Sequence, residues 1–254
     1  MIAAAVAMAR RAWLVALILG CWQALSHWRV LDPLFFPAPT TLLATLAALT
    51  ASGEIGHQVM CTLERTAVGF GLGVLWGTLA SVILSLSAVL RRASEPLVAA
   101  LYSTPRLTLL PMVMLVVGVN DFARVLLVAL GTALLMMIQV SDAIRAVNKD
   151  YVDMAVNYGA SRIMVIRKVY LPACLPQIFT ALRLAFSRAL VLTISVELLN
   201  SNDGLGSMIL SAWQTFAIEK LYVSIALAGA LGLVFQWLFH QLERRMAPWK
   251  DQAA

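Results

Sequence analysis

Charge is scarce in this chain. Asp, Glu, Lys and Arg together make up 13% of its 254 residues, against 61% hydrophobic residues, and the mean hydropathy is +0.85. Ordinary soluble domains carry about 25% charged and 45–50% apolar residues. So little polar surface excludes a disordered chain and a soluble enzyme, and predicts an all-α integral membrane protein. Cysteine is scarce too. Cys21, Cys61 and Cys174 are odd in number and far apart, which excludes a disulfide framework or a zinc site of ordinary spacing. His27, His57 and His240 lie in unrelated segments, so no metal set is expected. HExxH and GxSxG are absent. The GxxxxGK[ST] phosphate loop is missing as well, so ATP hydrolysis by this chain alone is not expected.

What is present is a series of apolar runs. A spanning helix takes about 20 residues, and six stretches qualify: 12–28, 67–90, 93–119, 122–140, 175–199 and 221–240. The third is interrupted by Pro96, Pro105 and Pro111. Residues 41–50, in the connection after the first run, predict a short interfacial helix. Arg10-Arg11 before an apolar run resembles a signal peptide, with a loose lipoprotein box ending at Cys21. An uncleaved first helix is the expectation, since polytopic proteins commonly begin that way.

The net charge of +6 would suggest nucleic acid in a soluble protein, but here its distribution matters more than its sum. Twelve of the nineteen Lys and Arg residues fall on one side: Arg10, Arg11, Arg91, Arg92, Arg145, Lys149, Arg162, Arg167, Lys168, Arg244, Arg245 and Lys250. Arg29, Arg65, Arg124 and Lys220 fall on the other, and Arg106, Arg183 and Arg188 within spans. This bias predicts cytoplasmic termini. No nucleic-acid partner is expected.

In the second run, Gly69, Gly73 and Gly77 repeat at GxxxG spacing, which lets another helix approach closely. A dinucleotide fingerprint fails, because Trp76 stands where GxGxxG needs its last glycine.

The long loop 142–176 has helical periodicity. Asp150 is a candidate N-cap with Asp153 at the third helical position. Tyr151, Met154, Ala155 and Tyr158 share one face. Gly159 suits a left-handed helix end. Ser161 then caps a second helix, which Pro172 is expected to stop. Such a helix pair suits either lipid headgroups or a groove on a partner protein.

Resemblance bears on that choice. Membrane subunits of bacterial binding-protein-dependent ABC importers carry a motif of the form EAA, three residues, Gly, nine residues, Ile, one residue, Leu-Pro. This chain has Asp153-Met154-Ala155, Gly159, Val169 and Leu171-Pro172 at that spacing. Met154 in place of alanine is the largest departure. Phe36-Pro37-Ala38-Pro39-Thr40, Gly159-Ala160-Ser161, Leu182-Arg183, Gly204-Leu205-Gly206 and Leu242-Glu243-Arg244-Arg245 with Pro248-Trp249 resemble the nitrate, sulfonate, taurine and bicarbonate branch.

The resemblance implies a type I importer permease fold with six transmembrane helices and a cytoplasmic coupling helix. Its parts would be a first helix with a periplasmic connection (1–56), a five-helix core (57–241) and a cytoplasmic tail (242–254). It further implies a second permease subunit, identical or different, two ATPase subunits that bind ATP and Mg, and a periplasmic or lipid-anchored substrate-binding protein. The chain itself would hold no cofactor or metal and would sit in the bacterial inner membrane. Tyr151, Asp153, Met154, Ala155, Tyr158, Gly159 and Ser161 become the ATPase-coupling residues. Arg106, placed near mid-membrane by a regular third span, and Glu197, Arg183 and Arg188 are the candidate pathway residues for a small anion. The competing class is a stand-alone secondary transporter or channel, which needs no ATPase dock.

Overall fold

The structure is a computed structural model describing residues 2–85 and 87–247, with side chains described from Trp13 on except at 88 and 200. Pro248-Trp249 and Lys250 lie outside the described residues, as do the side chains of Arg10 and Arg11. All regular elements among the described residues are helical: α1 (Ile2–His27), α2 (Pro39–Ala51), α3 (Glu54–Ser85), α4 (Ala88–Ser103), a 3-10 turn (Arg106–Leu109), α5 (Leu110–Val117), α6 (Asp121–Arg145), α7 (Lys149–Asn157), α8 (Arg162–Val165), a π turn (Ile166–Tyr170), α9 (Leu171–Asn200), α10 (Leu205–Gln214) and α11 (Ile218–Met246).

The centre of the bundle is α6, packed along α3 and α9. Gly69, Gly73 and Gly77 bring α3 against it: a methyl group on any of them would collide with Val128, with Thr132 and the Ala129 carbonyl, or with Ala133. Gly71, on the other face, has open space around it. Leu135, Met136 and Val140 then pack on Ala181 and Ala185 of α9. Phe186 stacks on Phe235 of α11 with ring centroids 4.3 Å apart. A second cluster, Ile55, Met208 and Val223, joins α3, α10 and α11 beneath Leu42, Leu46 and Leu49 of α2. Much of the outer surface is apolar. Trp76, Leu233 and Trp237 are all more than 60% exposed, as expected where hydrocarbon replaces water as solvent.

Four helices among the described residues are long and apolar enough to cross a membrane, at Glu54–Ser85, Asp121–Arg145, Arg162–Leu199 and Ile218–Met246. The third run, interrupted by prolines as the sequence shows, consists of two legs bent by 94°, and together they make a fifth candidate. Pro105 explains the break. It has no amide hydrogen to continue the ladder, and it forces Thr104 out of the helical region, to φ −71° and ψ 130°. The apolar stretch Trp13–His27 is shorter than these spans.

The second helix of the 142–176 loop does not stop at Pro172. The chain stays helical from Arg162 to Asn200, because a π turn intervenes where the proline would break the ladder. The Leu171 amide donates to Ile166 O, five residues back, and Pro172 takes the first turn of α9, where a missing N–H costs least.

Candidate functional site

Three polar constellations interrupt the apolar bundle. The first is the α7 corner. Asn148, not Asp150, caps α7, its Oδ1 accepting the Asp150 amide at 2.9 Å. The helix therefore starts at Lys149, with Asp150 in its first turn. At the other end Gly159 has φ +81°. Its amide donates to Val156 O at 2.9 Å and that of Ala160 to Ala155 O at 3.0 Å, a Schellman ending that requires the left-handed residue. Ser161 Oγ accepts the Met164 amide at 3.3 Å and caps α8 as expected. Asp153 is exposed. Tyr151, Met154, Ala155 and Tyr158 form one wall of a groove of about 560 Å³ against Lys168 and Pro172. Tyr158 is 88% exposed, although aromatic side chains ordinarily bury.

The second constellation lies at the opposite end of the bundle. Arg65 of α3 donates through Nε to Asp121 Oδ1 at 2.8 Å and through Nη1 to Glu197 Oε1 at 2.9 Å and Asp203 O at 3.0 Å. Its Nη2 pairs with the Asp203 carboxylate. Glu197 Oε2 accepts Thr62 Oγ1 at 2.8 Å and the Gly206 amide at 3.1 Å. The Gly204 amide donates to Gln58 Oε1 at 2.6 Å. Gly204 is required twice over: its φ is +99°, and a Cβ there would strike the Glu197 carboxylate. Glu197 is wholly buried with both oxygens engaged. Outside the span, hydrogen bonding to Arg65 holds the Asp203 carboxyl below its ordinary value of 3.8.

Sequence reasoning missed Arg65, assigning it to a loop because the apolar window opened only after Glu64 and Arg65. The available signal was helical spacing: Gln58, Thr62, Arg65 and Gly69 fall at i, i+4, i+7 and i+11.

The third constellation is the break between α4 and the 3-10 turn. Arg106 opens that turn and is not at the middle of a continuous span. Its Cζ sits 5.2 Å from the Tyr102 ring centroid. Arg188 of α9 donates through Nη1 to Tyr102 Oη at 2.9 Å. These three residues line a groove of about 580 Å³ with Thr104 and Ser195. The side chain of Arg106 passes over Gly131 of α6, where a Cβ would come within 3.0 Å of Arg106 Cδ.

Of the four residues expected along a pathway, the fold thus unites Arg106 and Arg188 and separates the others. Glu197 joins Arg65. Arg183 lies toward the α7 end, its Nη1 3.8 Å from Glu243 Oε2.

The family model for "Binding-protein-dependent transport system inner membrane component" matches residues 69–248. The putative aliphatic sulfonates transport permease protein SsuC of Escherichia coli (strain K12) is 30% identical over 91% of this chain and 88% of its own. The taurine transport system permease protein TauC of the same strain is 26% identical over 94% and 88%. An amino acid ABC transporter solved with histidines shares the fold, with a TM-score of 0.67 at 20% identity over 79% of this chain and 97% of that one. With the family model covering well over half its length, the chain belongs to the binding-protein-dependent transport system inner membrane components, as a permease subunit of an ABC importer.

Proposed function

We propose that α7 is the part of this permease that docks on a separate ATPase subunit, and that ATP and Mg bind there and not in this chain. The observation that carries this reading is the Tyr151, Met154 and Tyr158 face, exposed at 61%, 57% and 88%. The Gly159 corner turns the chain back and leaves this face open across a groove from Lys168 and Pro172, where a partner protein can reach it. Asp153, Ala155 and Ser161 complete the segment, Ser161 by fixing where the return helix begins.

In the full assembly two permease subunits, identical or different, meet two ATPase subunits, and a periplasmic or lipid-anchored binding protein delivers the solute. The Lys and Arg bias supports cytoplasmic termini and α7 on the same side. It also favours α1 as a sixth span. The solute is a small anion of the sulfonate or taurine kind, as the names of the permeases reported above support, or of the related nitrate or bicarbonate kind that the sequence motifs imply.

The test is co-purification of this permease with the ATPase subunit of its complex. A Met154→Asp/Tyr158→Asp variant should reach the membrane at normal yield yet capture no ATPase. Undiminished capture would exclude α7 as the dock.

A further inference from the structure

The polar groove at the break in the third span has a chemistry that the docking role of α7 does not use. Along α9, Arg188 stands 17 residues after Leu171 and 12 before Asn200, about 26 and 18 Å from the two ends. A charge at such depth faces the bundle interior or water. Two guanidiniums share one tyrosine there. Among the described residues, neither has a carboxylate within 4.0 Å. Arg106 Nε is buried with no hydrogen-bond partner, whereas Arg65 is bonded at every nitrogen.

The nearby hydroxyls are neutral and bring no negative charge to the groove. Ser103, Thr104, Ser187 and Ser195 each donate to a carbonyl of their own helix, at 2.9, 2.9, 3.1 and 2.8 Å. The Tyr102 oxygen accepts from Arg188, which leaves its O–H to donate. The groove therefore presents N–H and phenolic O–H donors, two positive charges and no anion of its own. Arg188 is exposed to the groove and Arg106 is half-buried, and two like charges on one tyrosine are stabilised by an anion between them.

We propose that Tyr102, Arg106 and Arg188 form an oxyanion-binding station within the translocation pathway, where the sulfonate or comparable oxyanion headgroup of the solute is held while it crosses. Gly131 is a positioning residue, leaving the space through which Arg106 reaches the groove. The station rests on the oxyanion reading of the solute given above.

The test uses the complete transporter, permease with its ATPase subunits, in proteoliposomes supplied with its binding protein. Uptake of radiolabelled methanesulfonate is measured beside ATP hydrolysis and complex yield. The double variant Arg106→Gln/Arg188→Gln should lose roughly tenfold or more of the uptake, the scale of one lost charge-assisted hydrogen bond. ATP hydrolysis and yield should stay near wild type, and Arg188→Lys should retain more uptake than Arg188→Gln. In the detergent-solubilised complex, methanesulfonate should raise the unfolding temperature more than neutral dimethyl sulfone does, and the double variant should lose that difference.

Unchanged uptake in the double variant would overturn the station while leaving the solute class standing. A fall in uptake matched by a fall in yield would make the arginines structural and overturn it too. A wild-type complex that hydrolyses ATP but takes up neither methanesulfonate nor nitrate would overturn the solute class, and the station with it.

Discussion

Arg65 and Glu197, 132 residues apart in sequence, meet at 2.9 Å where α3 and α9 approach each other. Glu197 is fully buried, so the pair stabilises the bundle only while both members are present. Removing one partner of such a pair costs about 3–5 kcal/mol, because the other is left charged and dry. Arg65→Ala should therefore lower the unfolding temperature and the yield in detergent. Arg65→Ala/Glu197→Ala should be less damaging than the two single losses added together. Strict additivity in that cycle would show the pair to be uncoupled.

Acid should loosen the same end of the molecule. Asp203 has its carboxyl held below 3.8 by Arg65, so its contribution is fully present above the unfolded value and is lost as pH falls through the lower, folded one. Thermal unfolding followed downward from neutral pH should show stability falling in that acid range. Asp203→Asn should start lower at neutral pH and fall less steeply. Parallel wild-type and variant profiles would remove Asp203 as a source of the slope.

At the opposite end Gly159 carries φ +81° with nothing within 4 Å of where its Cβ would stand. The constraint there is backbone strain and not space. A residue with a Cβ costs about 1–2 kcal/mol in that conformation, and a β-branched one more. Gly159→Val should weaken capture of the ATPase or raise the ATP hydrolysed per solute transported, while Gly159→Asn should do less harm. Normal assembly and full transport in Gly159→Val would remove the corner from the mechanism.

Two glycines two positions apart give an internal control. Gly73→Ala forces a methyl into Thr132 and the Ala129 carbonyl, whereas Gly71→Ala meets nothing. Overpacking of this kind costs about 1–3 kcal/mol. Membrane yield and unfolding temperature should drop for the first substitution and stay unchanged for the second. Equal effects would mean that the α3–α6 contact does not depend on close approach.

Spacing in the sequence carried the features set by one local geometry. The Gly69, Gly73 and Gly77 stripe, the positive φ at Gly159 and the Ser161 cap follow from helix period and backbone sterics alone. Features decided by competition between neighbours were harder to read. Asn148 and Asp150 both offer a capping oxygen, and the choice between them sets the start of α7. Pro172 stops a helix only if the preceding ladder is regular, and the π turn removes that condition. Arg65 was hidden because hydropathy reads a charge as a boundary, while its three carboxylate partners come from distant segments. The same limit kept Arg106 and Arg188 apart on paper until the break at Pro105 brought them to one tyrosine. The helix α10 was also missed, since only its opening Gly204-Leu205-Gly206 had stood out.

Because the π turn keeps Arg162–Leu199 helical through Pro172, those 38 residues form one lever about 57 Å long. One end lies three residues past the left-handed glycine, and the other holds Glu197. The chain is helical throughout between them, through the π turn, Pro172 and Pro176, and a tilt of about 5° at the α7 end carried along that whole length would displace the far end by about 5 Å. Arg65 ties that far end to α3, to the start of α6 and to the loop before α10. A push delivered at the corner is therefore shared at once among four segments of the opposite face.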